Sequence, residues 1–363
     1  MDAVGVRAVL ARASGLDAQH MQALLLAAGN EIEHGLEPQI LEQASLPPSA
    51  RAQLMQPDEV SLRRDLEWMA ASGARLLLST DAEYPAQLRH IRGAPAALFV
   101  LGDVAALARP QIAMVGTRTP TASGCKTARE FASHLARAGV TITSGLAAGI
   151  DAAGHEGALQ AGGQTVAVCG TGLDRVYPTQ HAALAERIRG QGALISEFPP
   201  RTPLRKANFP RRNRLMSGLA LGVLVVEAAR RSGALITARH AADQGRDVLA
   251  VPGSIYSPRS QGCHKLIRAG AVLVQAPAEV LAELRIPLPE EALVQRKATS
   301  GRGPPLDKEY EMLLDALGFE PATVDVIAAR TGLAGESIAS MLLILELEGR
   351  ITACPGGRYN RMP

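Results

Sequence analysis

Aromatic residues are scarce in this chain of 363 residues, where Phe, Tyr and Trp together make up 3% and tryptophan occurs once. Apolar residues still reach 47% of the composition, so the core must be mainly aliphatic, and an aromatic ring in a loop needs its own explanation. The net charge is only +3, which is too small to identify a nucleic-acid-binding protein by charge alone. Any such function has to be argued from where the charges lie.

Paired cysteines and long apolar segments are also lacking. Cys125, Cys169, Cys263 and Cys354 lie far apart without the spacing of a zinc site or a disulfide framework. The N-terminus does not show a signal-peptide pattern, and no apolar segment reaches the roughly 18 residues of a membrane span. We therefore expect a reduced, cytoplasmic protein without a bound metal.

The length favours two or three domains rather than one core. Residues 1–75 read as short helices, and residues 76–290 as the main domain, which begins with a lead-in at 76–102. A polar linker rich in Gly and Pro follows at 291–307, and a small C-terminal domain occupies 308–363.

The main domain alternates short apolar runs with segments of helical length. Because continuous apolar runs separated by helices indicate a parallel sheet covered on both faces, we predict a doubly wound α/β fold. The predicted strands are residues 112–115, 140–143, 165–169, 193–195, 221–226, 247–251 and 271–274.

The C-terminal domain has the pattern of a winged helix. Three helices are predicted at 308–317, 322–329 and 335–348, and a hairpin is predicted around Pro355-Gly-Gly. The third helix carries Glu336, Glu346 and Glu348 but no cation before Arg350. Since a helix that reads DNA presents cationic and amide side chains, we expect this domain mainly to contact protein or its own chain.

Small-residue turns follow nearly every predicted strand of the main domain. They are Gly116-Thr-Arg118, Ser144-Gly145, Gly170-Thr-Gly172, Arg231-Ser-Gly233 and Pro252-Gly-Ser254. In open parallel sheets ligands bind beyond the carboxyl ends of the strands, where glycine amides and hydroxyl groups can approach a phosphate. Five such turns near arginines favour an extended anionic ligand.

The strongest concentration of cations is the run Asn208-Phe-Pro-Arg-Arg-Asn-Arg-Leu-Met-Ser-Gly-Leu219, preceded by Arg205 and Lys206. Guanidinium groups grip phosphate and rings stack on bases, so this run suits a phosphate chain that carries bases. We expect its arginines to form one wall of the binding site. For Phe209, base stacking is slightly favoured over anchoring of the loop.

The residues that could be catalytic are better explained by structural roles. Asp151 and His155 are spaced for an acid–base pair, but no nucleophile or metal set accompanies them, and a helix-supporting role is favoured. Glu227 is expected to orient Arg212 or Arg214 rather than to act as a base. The turn after the first strand is not a dinucleotide fingerprint and no Walker lysine motif occurs, so no cofactor is predicted.

In the turns and the basic run described above, the chain resembles the DprA/Smf family of bacterial DNA-processing proteins. The resemblance runs in family order from Tyr84-Pro85 to about Val274. It rests on Val115-Gly-Thr-Arg118, Ser144-Gly-Leu-Ala-Ala-Gly-Ile-Asp151, Phe209-Pro-Arg-Arg-Asn-Arg214, Ser232-Gly-Ala-Leu-Ile-Thr237 and shorter matches at 155–159, 170–174, 177–178, 195–197, 226–227, 251–253 and 266–270.

The resemblance implies an extended Rossmann domain, preceded by a SAM-like helical domain, that binds single-stranded DNA, forms a homodimer and delivers the strand to the RecA recombinase in natural transformation. It implies no catalytic activity. Arg118 would be a principal phosphate contact, and the full set of expected DNA-binding residues is Gly116, Thr117, Arg118, Ser144, Gly145, Gly172, Arg205, Lys206, Phe209, Arg211, Arg212, Asn213, Arg214 and Ser232.

Three positions depart from the family pattern. Ala148 stands where many relatives carry a basic residue, and His264 replaces a usual Asn and would alter the hydrogen bonds of its turn. Arg201 stands where Gly is common and would add charge at the rim of the site.

Two other functions remain open at this point. One is a nucleotide hydrolase similar to the lysine-decarboxylase-like phosphoribohydrolases, for which Pro252-Gly-Ser-Ile-Tyr256 is the nearest match but lacks the acid that family uses. The other is a ligand-sensing transcription regulator, against which the acidic third helix of the winged-helix domain argues.

Overall fold

A computed structural model of the chain describes residues 3–31, 36–286, 307–318 and 321–361. An N-terminal helical module precedes the main sheet. Its five helices bury an aliphatic core of residues such as Leu10, Leu24 and Leu54. They are α1 to α5, at Ala3–Arg12, Ala18–Ala27, Pro38–Gln43, Pro48–Met55 and Glu59–Ser72.

The main domain contains a nine-stranded sheet in the order β1-β2-β6-β5-β4-β3-β7-β8-β9. Strands β3 to β9 are mutually parallel, and β1 and β2 form an antiparallel extension beside β6. The strands are Arg75–Leu78, Ala97–Gly102, Gln111–Val115, Thr141–Ser144, Thr165–Val168, Ala193–Ser196, Gly222–Val225, Asp247–Ala250 and Val272–Leu273.

Helices cover both faces of this sheet, and the predicted doubly wound α/β fold is confirmed. Helices α7, α8 and α13 pack on one face around Ile112 and Met114, while α10, α11 and α12 pack on the other around Val223 and Val225. The helices α6 to α13 are Ala86–Arg89, Ala122–Arg137, Ile150–Gln160, Ala182–Gln191, Asn208–Leu219, Ala234–Asp243, Gln261–Arg268 and Pro277–Glu283.

The direction of winding reverses at β3. Strands β4, β5 and β6 follow on one side of it, and β7, β8 and β9 on the other. At such a switch point the loops beyond the carboxyl ends of neighbouring strands diverge and leave a crevice. The fold therefore places a potential ligand site beside the loop that begins at Gly116.

The basic run 208–219 is a helix, α10, rather than part of a loop. Pro210 lies in the first turn, where its missing N–H would have had no helical partner. Because neighbouring positions of a helix point in different directions, the arginines cannot all face one cleft. The expectation that they form a single wall is therefore wrong.

Arg201 joins the main domain to the helical module instead of adding free charge at a rim. Its guanidinium lies 2.7 Å from the carboxylate of Asp65 on α5, which also pairs with Arg12 on α1. Asp65 is almost fully buried. The expected role for Arg201 is corrected accordingly: it forms an ion pair with this carboxylate, which it shares with Arg12.

The C-terminal residues form a winged-helix unit, as predicted. Helices α14, α15 and α16 are Lys308–Leu317, Val324–Thr331 and Gly335–Leu347, and the sheet has the order β10-β12-β11, with strands Ala322–Thr323, Arg358–Arg361 and Ile351–Cys354. Helix α15 begins two residues later than expected because Ala322 and Thr323 pair with β12. Most of the predicted linker, 291–306, lies outside the described residues.

Among the described residues no single helix is long and apolar enough to cross a membrane. One bent pair of helices, Val324–Thr331 with Gly335–Leu347, reaches the length and apolar composition of a span only when the two helices are taken together. In the same part of the chain no group of three or more His, Cys, Asp or Glu residues could hold a metal ion.

His155 on α8 is a buried neutral histidine in the core of the main domain. The Thr165 hydroxyl donates to the Ile142 carbonyl at 2.6 Å, so the His155 Nδ1–H donates to that hydroxyl, also at 2.6 Å. Its Nε2 is buried without a hydrogen-bond partner. Burial, with smaller contributions from His181 and Arg212, lowers the pKa of His155 to about 3.

This burial predicts a loss of stability in acid. The unfolded chain takes up a proton below pH 6.5 and the folded protein does not until about pH 3, so the free energy of unfolding falls as the pH drops through that window. The loss is up to about 1.4 kcal/mol per pH unit. A His155→Phe variant, measured by urea unfolding followed by circular dichroism, should lose about 2 kcal/mol less than the parent between pH 7 and pH 5. Parallel losses in the two proteins would contradict the assignment.

Candidate nucleic-acid interface

A cleft of about 690 Å³ opens at the carboxyl edge of the sheet, beside the switch point. The loops after β3, β4, β5, β6 and β7 form part of its wall, and one face of α10 and the first turn of α11 form the rest. The lining combines cations, hydroxyl and amide groups with apolar side chains. This edge is where an open parallel sheet binds its ligands.

Arg118 and Phe209 meet at the mouth of the cleft. The Arg118 guanidinium lies 5.6 Å from the centre of the Phe209 ring, and the ring of Tyr177 lies 6.1 Å from Phe209 on another side. Arg118 is exposed, and among the described residues no carboxylate lies within 4.0 Å of it. The cleft therefore offers an unpaired cation beside a half-buried aromatic ring.

Arg212 lies deep in the same cleft and is only 4% exposed. Its Nη1 donates to the Val168 carbonyl at 2.7 Å, and its Nε is buried without a hydrogen-bond partner. Burial lowers the pKa of this guanidinium, and the charge of Asp151 opposes the shift. Within the described chain no carboxylate comes within 4.0 Å of the group, so its charge is incompletely compensated.

Gly145 makes this position of Arg212 possible. A Cβ atom at residue 145 would lie 1.9 Å from Nη1 of Arg212, which is far inside van der Waals contact. The Gly145 amide donates to Asp151 at 3.1 Å, and the Ser144 hydroxyl donates to the Met114 carbonyl at 2.6 Å. The donors of Ser144 and Gly145 are thus occupied within the protein and hold the loop that supports Arg212.

Asp151 and His155 do not form an acid–base pair with each other. Asp151 accepts the Gly145 amide, whereas His155 bonds to Thr165. Burial raises the pKa of Asp151, and the positive charge of Arg212 acts against that rise. Both residues support the loop and helix that follow β4.

The predicted partnership of Glu227 with Arg212 or Arg214 is wrong. Glu227 accepts the Thr121 hydroxyl at 2.5 Å and the Thr121 amide at 3.0 Å, at the start of α7. Arg214 pairs instead with the buried Glu197 at 2.5 Å. Glu227, in the loop after β7, therefore holds the turn after β3 in place and does not orient an arginine of the cleft.

Arg211 and Arg214 belong to a separate ion pair on the side of α10 away from the cleft. Arg211 reaches Glu197 at 3.3 Å and lies 5.3 Å from the ring of Phe198. Arg214 is largely buried, and burial lowers its pKa. Neither residue lines the cleft.

In the structure half of the predicted binding residues line the cleft and the other half do not. Those that line the cleft are Gly116, Arg118, Lys206, Phe209, Arg212, Asn213 and Ser232. Those that do not line it are Thr117, Ser144, Gly145, Gly172, Arg205, Arg211 and Arg214. The Gly172 amide, for example, donates to the Thr202 carbonyl at 3.3 Å.

The expected set lacks Met216 and Thr237, which both line the cleft, and for Met216 the reason is that α10 is not recognised as a helix in the sequence. Phe209, Arg212, Asn213 and Met216 have the spacing i, i+3, i+4, i+7 of one helical face, and all four line the cleft. The first turn of α11 adds Thr237, whose buried hydroxyl has no hydrogen-bond partner. Helical periodicity in the basic run was the signal that could have found Met216.

Taken together, the parallel sheet, the site at its switch point and the cationic, aromatic cleft define a Rossmann-like protein with a candidate site for a nucleotide or nucleic acid. A family profile described as DNA recombination-mediator protein A matches residues 75–285, and one described as DprA winged helix domain matches 297–357. The chain belongs to the DprA/Smf family of DNA recombination mediators.

Individual relatives agree with this assignment. The chain is 42% identical to Protein Smf of Escherichia coli (strain K12) over 325 residues, which cover 88% of this chain and 86% of the relative. It superposes on the X-ray structure of DprA from Streptococcus pneumoniae with a TM-score of 0.68 and 37% identity, covering 78% of this chain and 99% of the other. A DprA structure from Helicobacter pylori, described for its unique mode of binding single-stranded DNA, gives a TM-score of 0.54 at 27% identity, over 58% and 95% of the two chains.

The contact between Gly145 and Arg212 generates a stability prediction. Gly145→Ala would force the guanidinium out of its position, and we expect a loss of about 1–3 kcal/mol, as for other overpacked sites. Urea unfolding measures the change.

Gly190 provides the matched control, because it lies in α9 with open space around its Cα. Gly190→Ala should stabilise the protein by up to about 1 kcal/mol, through the better helix propensity of alanine. A Gly145→Ala variant as stable as the parent would show that Arg212 can leave its position without cost.

Proposed function

We propose that this protein binds single-stranded DNA in the cleft between α10 and α11, without strong sequence preference. The observation that carries the proposal is the exposed, unpaired Arg118 beside the Phe209 ring, above the buried charge of Arg212. The single-stranded DNA binding described for the Helicobacter pylori relative supports the same ligand.

Each part of the cleft matches a part of such a strand. Arg118 and Lys206 are exposed cations suited to phosphates, and Ser232 precedes the N-terminus of α11, which favours negative charge. Arg212 adds positive potential from within, where the lower dielectric strengthens it. Rings stack on bases only where the base faces are free, so the contacts favour a single strand over a duplex.

The proposal extends to the biological role implied by the family. The protein would protect the bound strand and promote loading of RecA during natural transformation, acting in the cytoplasm as a homodimer joined through the main domain, with no catalytic step of its own. RecA-driven strand exchange with and without the protein measures the loading, and molar mass in solution measures the dimer.

The winged helix would have little part in DNA binding. Its helix α16 exposes Glu336 and Glu346 together with the apolar Leu343 and Leu347, and Glu348 is exposed just after the helix. Carboxylates repel phosphates, while exposed apolar side chains favour contact with protein. We propose a protein contact for this domain.

Removal of the Arg118 charge tests the cleft directly. Arg118→Ala should weaken binding to single-stranded homopolymers of every base, because a phosphate contact carries no sequence information. The slope of log K against log salt concentration should become shallower by about 0.7, the value for one lost contact with a single strand. Titrations by fluorescence anisotropy at several salt concentrations measure both quantities.

Arg109 is the matched control for this experiment. It is an exposed arginine just before β3, at the opposite end of the strand that leads to Arg118. Arg109→Ala removes the same charge from the same protein and should leave the slope unchanged. If the two variants behave alike, the cleft is not the DNA-binding site.

Phe209 is expected to act by stacking, so its removal should have a different signature. Phe209→Leu keeps an apolar side chain but loses the ring, and affinity should fall by about 1–3 kcal/mol per stacked base. The salt slope should stay as in the parent because no phosphate contact is lost. Unchanged affinity would assign Phe209 to the anchoring of α10 alone.

A further inference from the structure

A second cationic pocket lies outside the cleft, on the exposed face of α12. Its volume is about 400 Å³, and its lining consists of Arg230, Gln261, His264, Lys265 and Arg268. The four residues from α12 follow the spacing i, i+3, i+4, i+7 and so share one face of the helix. The opposite face of α12 is buried through Cys263.

The cations of this pocket are not used by the fold. For Arg230, Lys265 and Arg268, no carboxylate of the described chain comes within 4.0 Å, and no carboxylate lines the pocket. The ring of His264 is held by the Gly253 carbonyl, 3.0 Å from its Nε2. Three unpaired cations around one depression create a field that attracts an anion.

Backbone hydrogen bonds connect this pocket to the cleft. The Ala228 carbonyl accepts the Gly262 amide at 2.7 Å, and the Ala228 amide donates to the Arg259 carbonyl at 2.7 Å. The loop after β7 is therefore fixed against the start of α12. In that loop Arg230 lines the second pocket and Ser232, two residues on, lines the cleft.

An exposed aromatic residue stands in the turn next to the second pocket. The Ser257 amide donates to the Ser254 carbonyl at 3.1 Å, which closes a turn with Ile255 and Tyr256 at its tip. Tyr256 is 81% exposed in a chain with few aromatics. Gly253, which begins this segment, is the residue bonded to His264.

We propose that the second pocket is a further binding site for nucleic acid, which holds the phosphates of the same DNA strand after it leaves the cleft. Arg230, Lys265 and Arg268 contact the phosphates, and Tyr256 stacks on a base. The inference rests on the proposed function of the cleft. A protein partner fits less well, because the lining has no apolar or aromatic side chain, whereas the core of a protein interface is depleted in charge.

Titrations with DNA strands of two lengths distinguish binding at the cleft from binding at the second pocket. A strand of about four nucleotides, the lower limit for a single-strand site, fills the cleft alone, and one of about sixteen reaches both sites. A triple variant, Arg230→Ala with Lys265→Ala and Arg268→Ala, should flatten the salt slope for the long strand by about 2, since three contacts are lost at about 0.7 each. The slope for the short strand should not change. Tyr256→Ala should weaken binding of the long strand without changing its slope.

A charge-matched control removes three exposed arginines elsewhere on the main domain: Arg109, Arg137 and Arg187. It should leave both slopes as in the parent. The inference is overturned if the long-strand slope is the same in the parent and the first triple variant, or if that variant changes the molar mass of the protein while DNA affinity per chain is unchanged. If the cleft does not bind DNA, the affinity for the short strand should be the same in the parent and in Arg118→Ala.

Discussion

The buried guanidinium of Arg212 is the constraint on which the cleft depends. A charge taken out of water costs several kcal/mol unless its surroundings compensate it, and here the compensation is partial. The Val168 carbonyl accepts one hydrogen bond, Asp151 contributes opposite charge from beyond ion-pairing distance, and Gly145 leaves the space that a side chain would occupy. The loop after β4 and the start of α10 are therefore fixed relative to each other. An anion bound in the cleft would complete the compensation that the protein leaves unfinished.

Other arginines near the cleft form ion pairs within the protein, so the number of arginines in the sequence does not give the number available to a ligand. Glu197 forms ion pairs with both Arg211 and Arg214, and Asp65 forms one with Arg201. These pairs fix α10 against the end of β6 and the helical module against the main domain. Of the cations expected at the site, only those without a carboxylate partner remain available at the surface of the cleft, chiefly Arg118 and Lys206.

The sequence was sufficient for the seven parallel strands of the sheet, but not for the antiparallel β1 and β2 or for the direction of individual side chains. Most of the buried parallel strands contain an apolar run such as 221–226, so all seven predicted strands could be found from composition and spacing, although β4 carries three hydroxyl side chains. The run at 208–219 was harder, because asparagine and an early proline obscured its helical period. The pairing of Arg214 with Glu197 depends on where tertiary packing places α10 relative to the loop after β6, which no local pattern encodes. The role of Thr237 could not be predicted either, since only the folded structure shows that its hydroxyl lies in the cleft.

The chemistry of the cleft lining would also account for the proposed lack of sequence preference. Asn213 carries both a donor and an acceptor, and the Thr237 hydroxyl can serve as either. A base that enters the cleft therefore meets groups able to bond any edge it presents, beside the apolar surface of Phe209 and Met216, which accepts any ring. Selective reading of DNA uses side chains with a fixed pattern, such as an arginine fork on guanine. Here the buried arginine is held by the Val168 carbonyl and so is not free to select a base.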